Sequence, residues 1–365
     1  MVEGKKKIFV GMSGGVDSSV SAALLQKEGH DVIGVFIKVW QADFLPCTWR
    51  EERREAMRAA AHLGIPFLTL DLEKEYKTSV VDYMIREYGM GRIPNPDVMC
   101  NKEVKFGAFL KFAESQGADF IATGHYARSI RNEENQYKLF AGVDKEKDQS
   151  YFLWTLTQAQ LAHTLFPVGH LQKSEVRQLA KQFGLPNAEK KDSQGLCFMG
   201  KVDMAEFLKH YLHTSPGEVH DEEGNVIGSH EGALLYTIGQ RHGFRTDKET
   251  VNERPYFVVG KNLTTNTITV GHREPVNAKN SARIAVSNLH MIGENFTERN
   301  DIVARIRYRG ELFPATVAYE NSKLRVQFPT AIEGLAPGQS IVFYAGEECL
   351  GGGIIEEQTS INTYS

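Results

Sequence analysis

Three short stretches of the sequence hold residues that could do chemistry. Gly11-Met12-Ser13-Gly14-Gly15-Val16-Asp17-Ser18-Ser19 has the make-up of an anion site. Glycines let the backbone approach a phosphate closely, and successive amides at a helix N-terminus supply donors. Asp17 is out of place beside an anion unless a Mg²⁺ ion bridges it to the phosphates. Pro94-Asn95-Pro96-Asp97-Val98-Met99-Cys100-Asn101-Lys102 approaches a helix through two stiffening prolines. Cys100 would then sit at or near the helix N-terminus, where the dipole and Lys102 lower a thiol pKa, with Asp97 as an acid/base partner. Asp192-Ser193-Gln194-Gly195-Leu196-Cys197-Phe198 brings a second thiol after Lys190-Lys191, in a loop that Gly195 loosens.

Each stretch has a plainer reading. The glycine loop could be a turn capped by Asp17 or Ser18, although the full SGGVDSS string between a strand and a helix argues for phosphate. Cys100 could be a small buried hydrophobe, the usual fate of a free cysteine; its polar, proline-rich setting speaks against that. Nothing in the spacing of Cys100 and Cys197 says that they meet. A pair that cycles between persulfide and disulfide is one reading.

The elements that must position these residues alternate. Lys7–Met12 reads as a short apolar strand, Ser18–Glu28 as a helix stopped by Gly29, and Val32–Val39 as a strand buried on both faces. A helix over Glu51–Leu63, a strand over Phe67–Leu70, helices over Glu73–Glu87 and Val104–Ser115, and a strand over Phe120–Thr123 complete a βα pattern. It predicts an α/β fold with a doubly wound parallel sheet, whose ligands sit beyond the carboxyl ends of the strands. After about residue 210 short β-like runs dominate. Val303, Arg305, Arg307 and Arg309 alternate with Ile302, Ala304, Ile306 and Tyr308, which reads as one strand with a wet, basic face. The expected division is a catalytic domain over 1–210, a small central domain over 211–275 and a C-terminal β-barrel over 276–365.

The 365 residues, 41% hydrophobic and 24% charged, have an ordinary globular composition. No apolar run nears the roughly 18 residues of a membrane span, and Ile8–Met12 is too short for a signal-peptide core; a cytoplasmic protein is expected. A net charge of −4 argues against broad nucleic-acid binding but allows a local basic face. Cys47, Cys100, Cys197 and Cys349 form no CxxC pair, so no structural zinc or iron–sulfur spacing exists and no metal ligand set is expected.

SGGVDSS lacks the lysine of a Walker loop and resembles the PP-loop of the ATP pyrophosphatases, which adenylate a carbonyl or carboxylate oxygen and let a nucleophile displace AMP. With NPDVMCNKEVKF, TGHYAR, KDQSYFL, DSQGLCFMG, HEGALLYTIGQRHG, RIRYRG and APGQSIVFYAGEECLGGGII, the chain resembles the tRNA-specific 2-thiouridylase family over nearly its whole length. The resemblance implies ATP, with Mg²⁺, on Gly11, Met12, Ser13, Gly14, Gly15, Val16, Asp17 and Ser18, with further contacts from Ile37 and Gly124. It implies a flipped wobble uridine of the tRNAs for Glu, Gln and Lys, lined by Asn95, Pro96 and Asp97, with Asp97 as acid/base. Lys147, Asp148 and Gln149 would hold tRNA, as would His125, Arg307, Tyr308 and Gln339. Cys197 would take sulfur as a persulfide from a carrier, and Cys100 would assist release of sulfide or resolve the persulfide, ending in a Cys100–Cys197 disulfide. A monomer is expected. Ile37 and Val39 depart from the Met and Asn common in the family, while Cys47 and Cys349 would be structural. A PP-loop amidotransferase or lysidine-type ligase is the main rival, because it needs no paired cysteines.

Overall fold

The computed structural model describes residues 4–192, 197, 202–247, 254–272, 282–320, 323–330, 332 and 334–360. The first sheet grows from β1 (Lys7–Gly11), α1 (Val16–Lys27), β2 (Asp31–Lys38), α2 (Trp49–Leu63) and β3 (Phe67–Asp71). Alternation along β1 sends side chains to opposite faces. Ile8, Val10 and Met12 join Ala56, Ala59 and Ala60 of α2 on one face, while Phe9 faces the opposite layer with Val104 and Phe109. β2 runs buried from Val32 to Ile37 because helices cover both sides.

A long helical run follows: α3 (Glu73–Tyr76), a π-wound stretch Lys77–Val81 and α4 (Asp82–Gly89). A second comprises α5 (Pro96–Met99), a π-wound stretch Cys100–Phe109 and α6 (Leu110–Ser115). Next come β4 (Phe120–Ala122), the hairpin β5 (Ala127–Arg131) and β6 (Tyr137–Ala141), α7 (Gln158–Ala162), β7 (Thr164–Leu165) and α8 (Lys173–Gln182). The parallel sheet has the order β3-β2-β1-β4-β7. The order of strand addition reverses between β1 and β4, which run parallel, so the loops after these two strands open onto the crevice where such sheets bind ligands.

The helix predicted from Val104 begins at Pro96 instead. Asn95 caps it, its Oδ1 accepting from the Val98 N–H at 3.2 Å, and Pro96 takes the first helical position. Cys100 therefore lies inside the helix.

After α9 (Met204–Lys209), a second sheet contains β8 (Gly217–His220), β9 (Val226–His230), β10 (Phe244–Thr246), β11 (Tyr256–Asn262) and β12 (Thr267–His272). Its order is β10-β9-β8-β12-β11. The third, curled antiparallel sheet holds β13 (Ala282–Met291), β14 (Val303–Arg305), β15 (Phe313–Pro314), β16 (Thr316–Glu320), β17 (Lys323–Phe328), β18 (Ser340–Ala345) and β19 (Glu348–Ser360). The β5–β6 hairpin joins it: β6 pairs with β19 through Phe140↔Glu348 and Leu139↔Cys349.

The alternating arginines do not form one strand face. β14 ends at Arg305, residues 306–309 turn, and Arg309 takes a positive φ of 57°. Arg305 is drawn inward, its Nη1 donating to Asp148 Oδ2 at 3.0 Å, because the Asp148 carboxylate is buried and needs a cation. Arg307 and Arg309 stay exposed. No helix among the described residues is long and apolar enough to cross a membrane.

Candidate active site

The glycine loop leaves β1 and enters α1 at Gly15. Ser13 N–H donates to Ser18 Oγ at 3.3 Å, and Ser19 Oγ donates to Gly15 O at 3.0 Å, which closes the turn. Gly14 has φ 78°, and a Cβ there would lie 2.5 Å from Glu52 O, so only glycine fits. Asn187 clamps the loop from α8's far end, its Nδ2 reaching Gly14 O at 3.0 Å and Ser19 Oγ at 3.0 Å. Lys190 reaches Gly14 O and pairs with Glu55 of α2. Met12 and Ile37 are buried beneath the loop, and Val16 packs into the α1–α8 layer.

Asp17 points sideways. Its Oδ1 accepts from Tyr126 Oη at 2.8 Å and from Lys173 Nζ at 2.6 Å. Lys173 continues to Asp192, where Lys147 and Arg177 converge as well. Burial opposes ionisation of Asp192, but the hydrogen bonds of Lys147 and Lys173 outweigh it and hold the carboxyl down to about 2. Asp192 thus anchors the start of the loop that carries Cys197; residues 193–196 and 198–201, including Gly195, lie outside the described residues.

The two thiols meet. Cys100 Sγ lies 3.1 Å from Cys197 Sγ, a contact between two free thiols. Asp97 Oδ1 accepts the Cys197 N–H at 2.8 Å, and Tyr76 Oη donates to the Cys197 carbonyl at 2.8 Å. Cys100 has no exposed surface, and its position inside the helix removes the expected dipole effect. Burial, together with the neighbouring Cys197, pushes its thiol well up, which corrects the expectation of a lowered pKa. Cys197 is pulled down instead: a hydrogen bond from Cys100 outweighs burial, and Lys105 adds its charge. The pair is therefore asymmetric, with the proton held more tightly on Cys100 than on Cys197. Burial raises Asp97 above the ordinary carboxylate range, against the Cys197 amide and Lys105, which suits a group that must both give and take a proton.

Phosphate loop and sulfur pair are joined through two consecutive residues after β4. A Cβ on Gly124 would lie 2.7 Å from Ser18 N, so glycine is needed where this strand end presses on the loop. Next to it, His125 is buried, bonded through Nδ1 to Thr123 Oγ1 at 2.7 Å and lying 3.5 Å through Nε2 from Lys105 Nζ. Burial, with Lys105 beside it, depresses the imidazole well below its ordinary range, so the ring is neutral.

The remaining expected tRNA residues fall into two groups. Gln339 sits at the approach to Asn95: its Nε2 donates to Ile93 O at 3.0 Å, and Pro337 O accepts from Ile93 N at 2.8 Å. Tyr308 packs at a tilt, its ring centroid 4.4 Å from that of Phe152, on the turn that exposes Arg307. Lys147, Asp148 and Gln149, by contrast, are engaged within the chain. Lys147 binds Asp192, Asp148 binds Arg305, and Gln149 Oε1 accepts the Tyr126 N–H at 3.1 Å. Cys349 is buried as a structural residue would be, whereas Cys47 is exposed.

Sequence reasoning missed Tyr76, Lys105, Lys173 and Asn187. Lys105 lay within the quoted NKEVKF string, but an α-helical spacing would have turned it away from Cys100. Tyr76, Lys173 and Asn187 sit in otherwise ordinary helix and loop sequence and carry no local signal.

A doubly wound sheet with a lysine-free phosphate loop at its switch point places this chain among the PP-loop α/β proteins. Residues 6–201 match the family profile described as "tRNA methyl transferase HUP domain", 205–272 "tRNA methyl transferase PRC-barrel domain" and 281–355 "Aminomethyltransferase beta-barrel domain". A protein of Enterococcus faecalis described as "tRNA-specific 2-thiouridylase MnmA" is 44% identical over 360 residues, 96% of each chain. Proteins of the same description from Streptococcus equi subsp. zooepidemicus and Ligilactobacillus salivarius are each 45% identical, over 96% of this chain and 95% of theirs. The chain belongs to the tRNA-specific 2-thiouridylase family, whose members are tRNA-uridine 2-sulfurtransferases.

Proposed function

We propose that this enzyme adenylates the C2 carbonyl of the wobble uridine in the tRNAs for Glu, Gln and Lys and replaces that oxygen with sulfur. The observation that carries the reading is the 3.1 Å approach of Cys100 and Cys197, one residue step away from the phosphate loop through Gly124 and His125. Two of the matching profile descriptions name a methyl transfer, whereas the relatives 44–45% identical over 96% of the chain are described as 2-thiouridylases.

ATP fits the loop from Gly11 to Ser18: it makes a tight turn at Gly14 that only glycine allows, and Lys173 and Lys190 flank it. Mg²⁺ would come with the nucleotide, with Asp17 as the loop carboxylate able to meet it. Ile37 and Gly124 bound the adenine side. Uridine O2 attacks the α-phosphorus and pyrophosphate leaves, which turns a poor leaving group into AMP. The terminal sulfur of a Cys197 persulfide then attacks C2 and AMP departs. Cys100 gives its proton to Asp97, which has returned the uridine proton to N3, and attacks the Cys197 sulfur; the S–S bond to the base breaks, its electron pair forming C2=S, and Cys100–Cys197 becomes a disulfide. The sulfane sulfur is reduced as the thiol pair is oxidised, so an external dithiol must reset the enzyme. Asp97 handles the uridine proton.

Asn95, Pro96 and Asp97 line the base, with Gln339 and His125 at its rim. Arg307 and Tyr308 meet the tRNA backbone. Lys147, Asp148 and Gln149 hold it after exchanging some of their internal partners. Flipping the uridine costs a few kcal/mol. We assign the chemistry to residues 1–210 and tRNA gripping to 211–275 and 276–365, in a cytoplasmic monomer fed by a persulfide carrier.

Purified enzyme with ATP, Mg²⁺, a labelled persulfide donor and unmodified tRNA should yield labelled 2-thiouridine and one AMP per sulfur. AMP formation with no label in tRNA would sink the assignment. A rival PP-loop ligase would keep its activity in Cys197→Ser.

A further inference from the structure

The sulfur pair faces a cation to which the scheme above gives no task. Lys105 lies five residues beyond Cys100, inside the π-wound stretch Cys100–Phe109. In an α-helix that spacing would turn the two side chains about 140° apart. Closure from i to i+5 returns them to one face, and such winding concentrates at functional sites. The Lys105 ammonium is hydrogen-bonded to Cys197 Sγ and lies 3.5 Å from His125 Nε2. Cys197 Sγ in turn sits 3.1 Å from Cys100 Sγ.

Among the described residues, the titratable groups around the sulfurs are few. Asp97 and Cys100 come from the same helical run, Tyr76 from α3, and His125 from the end of β4. Tyr76 is held protonated by burial and by the neighbouring sulfurs. His125 is neutral, and Asp97 opposes a thiolate. Among these groups Lys105 alone brings positive charge. Burial works against that charge, and the two cysteines and Asp97 more than restore it. Cys197, unlike Cys100, keeps some exposed surface through which a carrier can reach it.

We propose that Lys105 is a catalytic residue of the sulfur-loading step, holding Cys197 as the thiolate that accepts sulfane sulfur. The proposal rests on the thiolation reading. In that step Cys197–S⁻ attacks the outer sulfur of a donor persulfide R–S–SH. The donor S–S bond breaks, Cys197–S–SH forms and R–S⁻ leaves; no net oxidation occurs. Lys105 makes Cys197, not Cys100, the acceptor. It then stays beside the anionic persulfide as a fixed counter-charge, where a deprotonated neutral side chain would let Asp97 repel the incoming sulfur.

Alkylation of Cys197 by iodoacetamide, followed peptide by peptide in the full chain across pH 5–10, reads this directly. In the native protein the midpoint should fall below that of a free thiol, near 8.5. Lys105→Met should raise the midpoint by at least about one pH unit, slowing alkylation near pH 7 roughly tenfold. Lys105→Arg should restore most of the shift. If Lys105→Met does not stay folded, Lys105→Gln, which keeps a donor without the charge, carries the same comparison. An unchanged midpoint in a folded Met or Gln variant overturns the proposal. The assay contains neither tRNA nor ATP. A native enzyme with the lowered Cys197 midpoint that nevertheless transfers no sulfur to tRNA would therefore count against the thiolation reading and leave the role of Lys105 in thiolate formation standing.

Discussion

The Asp97 carboxylate accepts the backbone N–H of Cys197 at 2.8 Å, which ties a helix-borne carboxyl to a thiol-bearing residue a hundred positions further along the chain. In the proposed reaction one group is thereby asked to hold Cys197 and to handle a proton. Asp97→Asn keeps an oxygen for the amide and removes the titration. Thiolation should fall about 10²–10⁴-fold, while the melting temperature stays near that of the native protein. Asp97→Ala should lose the same activity and melt lower as well. Equal activity in Asn and native enzymes would rule out the acid/base role.

Cys100→Ser and Cys197→Ser should each abolish sulfur incorporation, but at different stages. Cys197→Ser should fail to accept label from a persulfide donor. Cys100→Ser should load label on Cys197 and then stall before 2-thiouridine appears. Mass spectrometry of the two peptides separates the stages, and loading on Cys100 in the native enzyme would reverse the assignment.

Removing the partner of a buried charge is costly. Asp148 is 3% exposed and bonded to Arg305, to the Gly142 N–H and to the Ser150 N–H. Arg305→Met strands that carboxylate, and urea unfolding should show a loss of about 3–5 kcal/mol. Arg307→Met, on the exposed turn, should leave stability within about 0.5 kcal/mol and weaken tRNA binding, with a shallower salt dependence.

Gly124→Ala should raise the KM for ATP at least about tenfold, because the new Cβ would lie 2.7 Å from Ser18 N and 2.9 Å from the Asp17 carbonyl carbon. The loop must move for it to fit. Pyrophosphate release measured against ATP concentration tests this, and an unchanged KM would show that the loop yields without losing its donors.

Asp192 gives a pH signature. Its folded pKa, about 2, lies below the roughly 3.9 of an unfolded aspartate. The stabilisation it contributes is complete above the unfolded value and drains away as pH falls through about 4 towards 2. Asp192→Asn should therefore melt lower at pH 7, leaving Lys147, Lys173 and Arg177 facing one another. The gap between variant and native melting curves should close on acidification.

Much of the catalytic layer was legible in the sequence because local rules govern it. The apolar run of β2 and the glycine loop before α1 follow from burial on two faces and from backbone freedom, which are properties of neighbouring residues. Misreadings arose where distant partners decide. Arg305 alternates with apolar residues as a solvated strand position would, yet it turns inward because Asp148, 157 positions earlier, is buried. Cys100 looked like a helix-start thiol because its helix was placed too late; Asn95 and Pro96 were the available start signal. Lys105 was hidden by the winding itself, since a 3.6-residue period gives no reason to group it with Cys100.

The β6–β19 ladder has a mechanical meaning. Because Leu139 and Phe140 pair with Cys349 and Glu348, a strand of the C-terminal sheet is laced to a hairpin that issues from the catalytic layer just past His125. Pro337 and Gln339 brace Ile93 from the same side. The distance from the exposed turn at Arg307 to the sulfur pair is thus set like the gap of a fixed calliper.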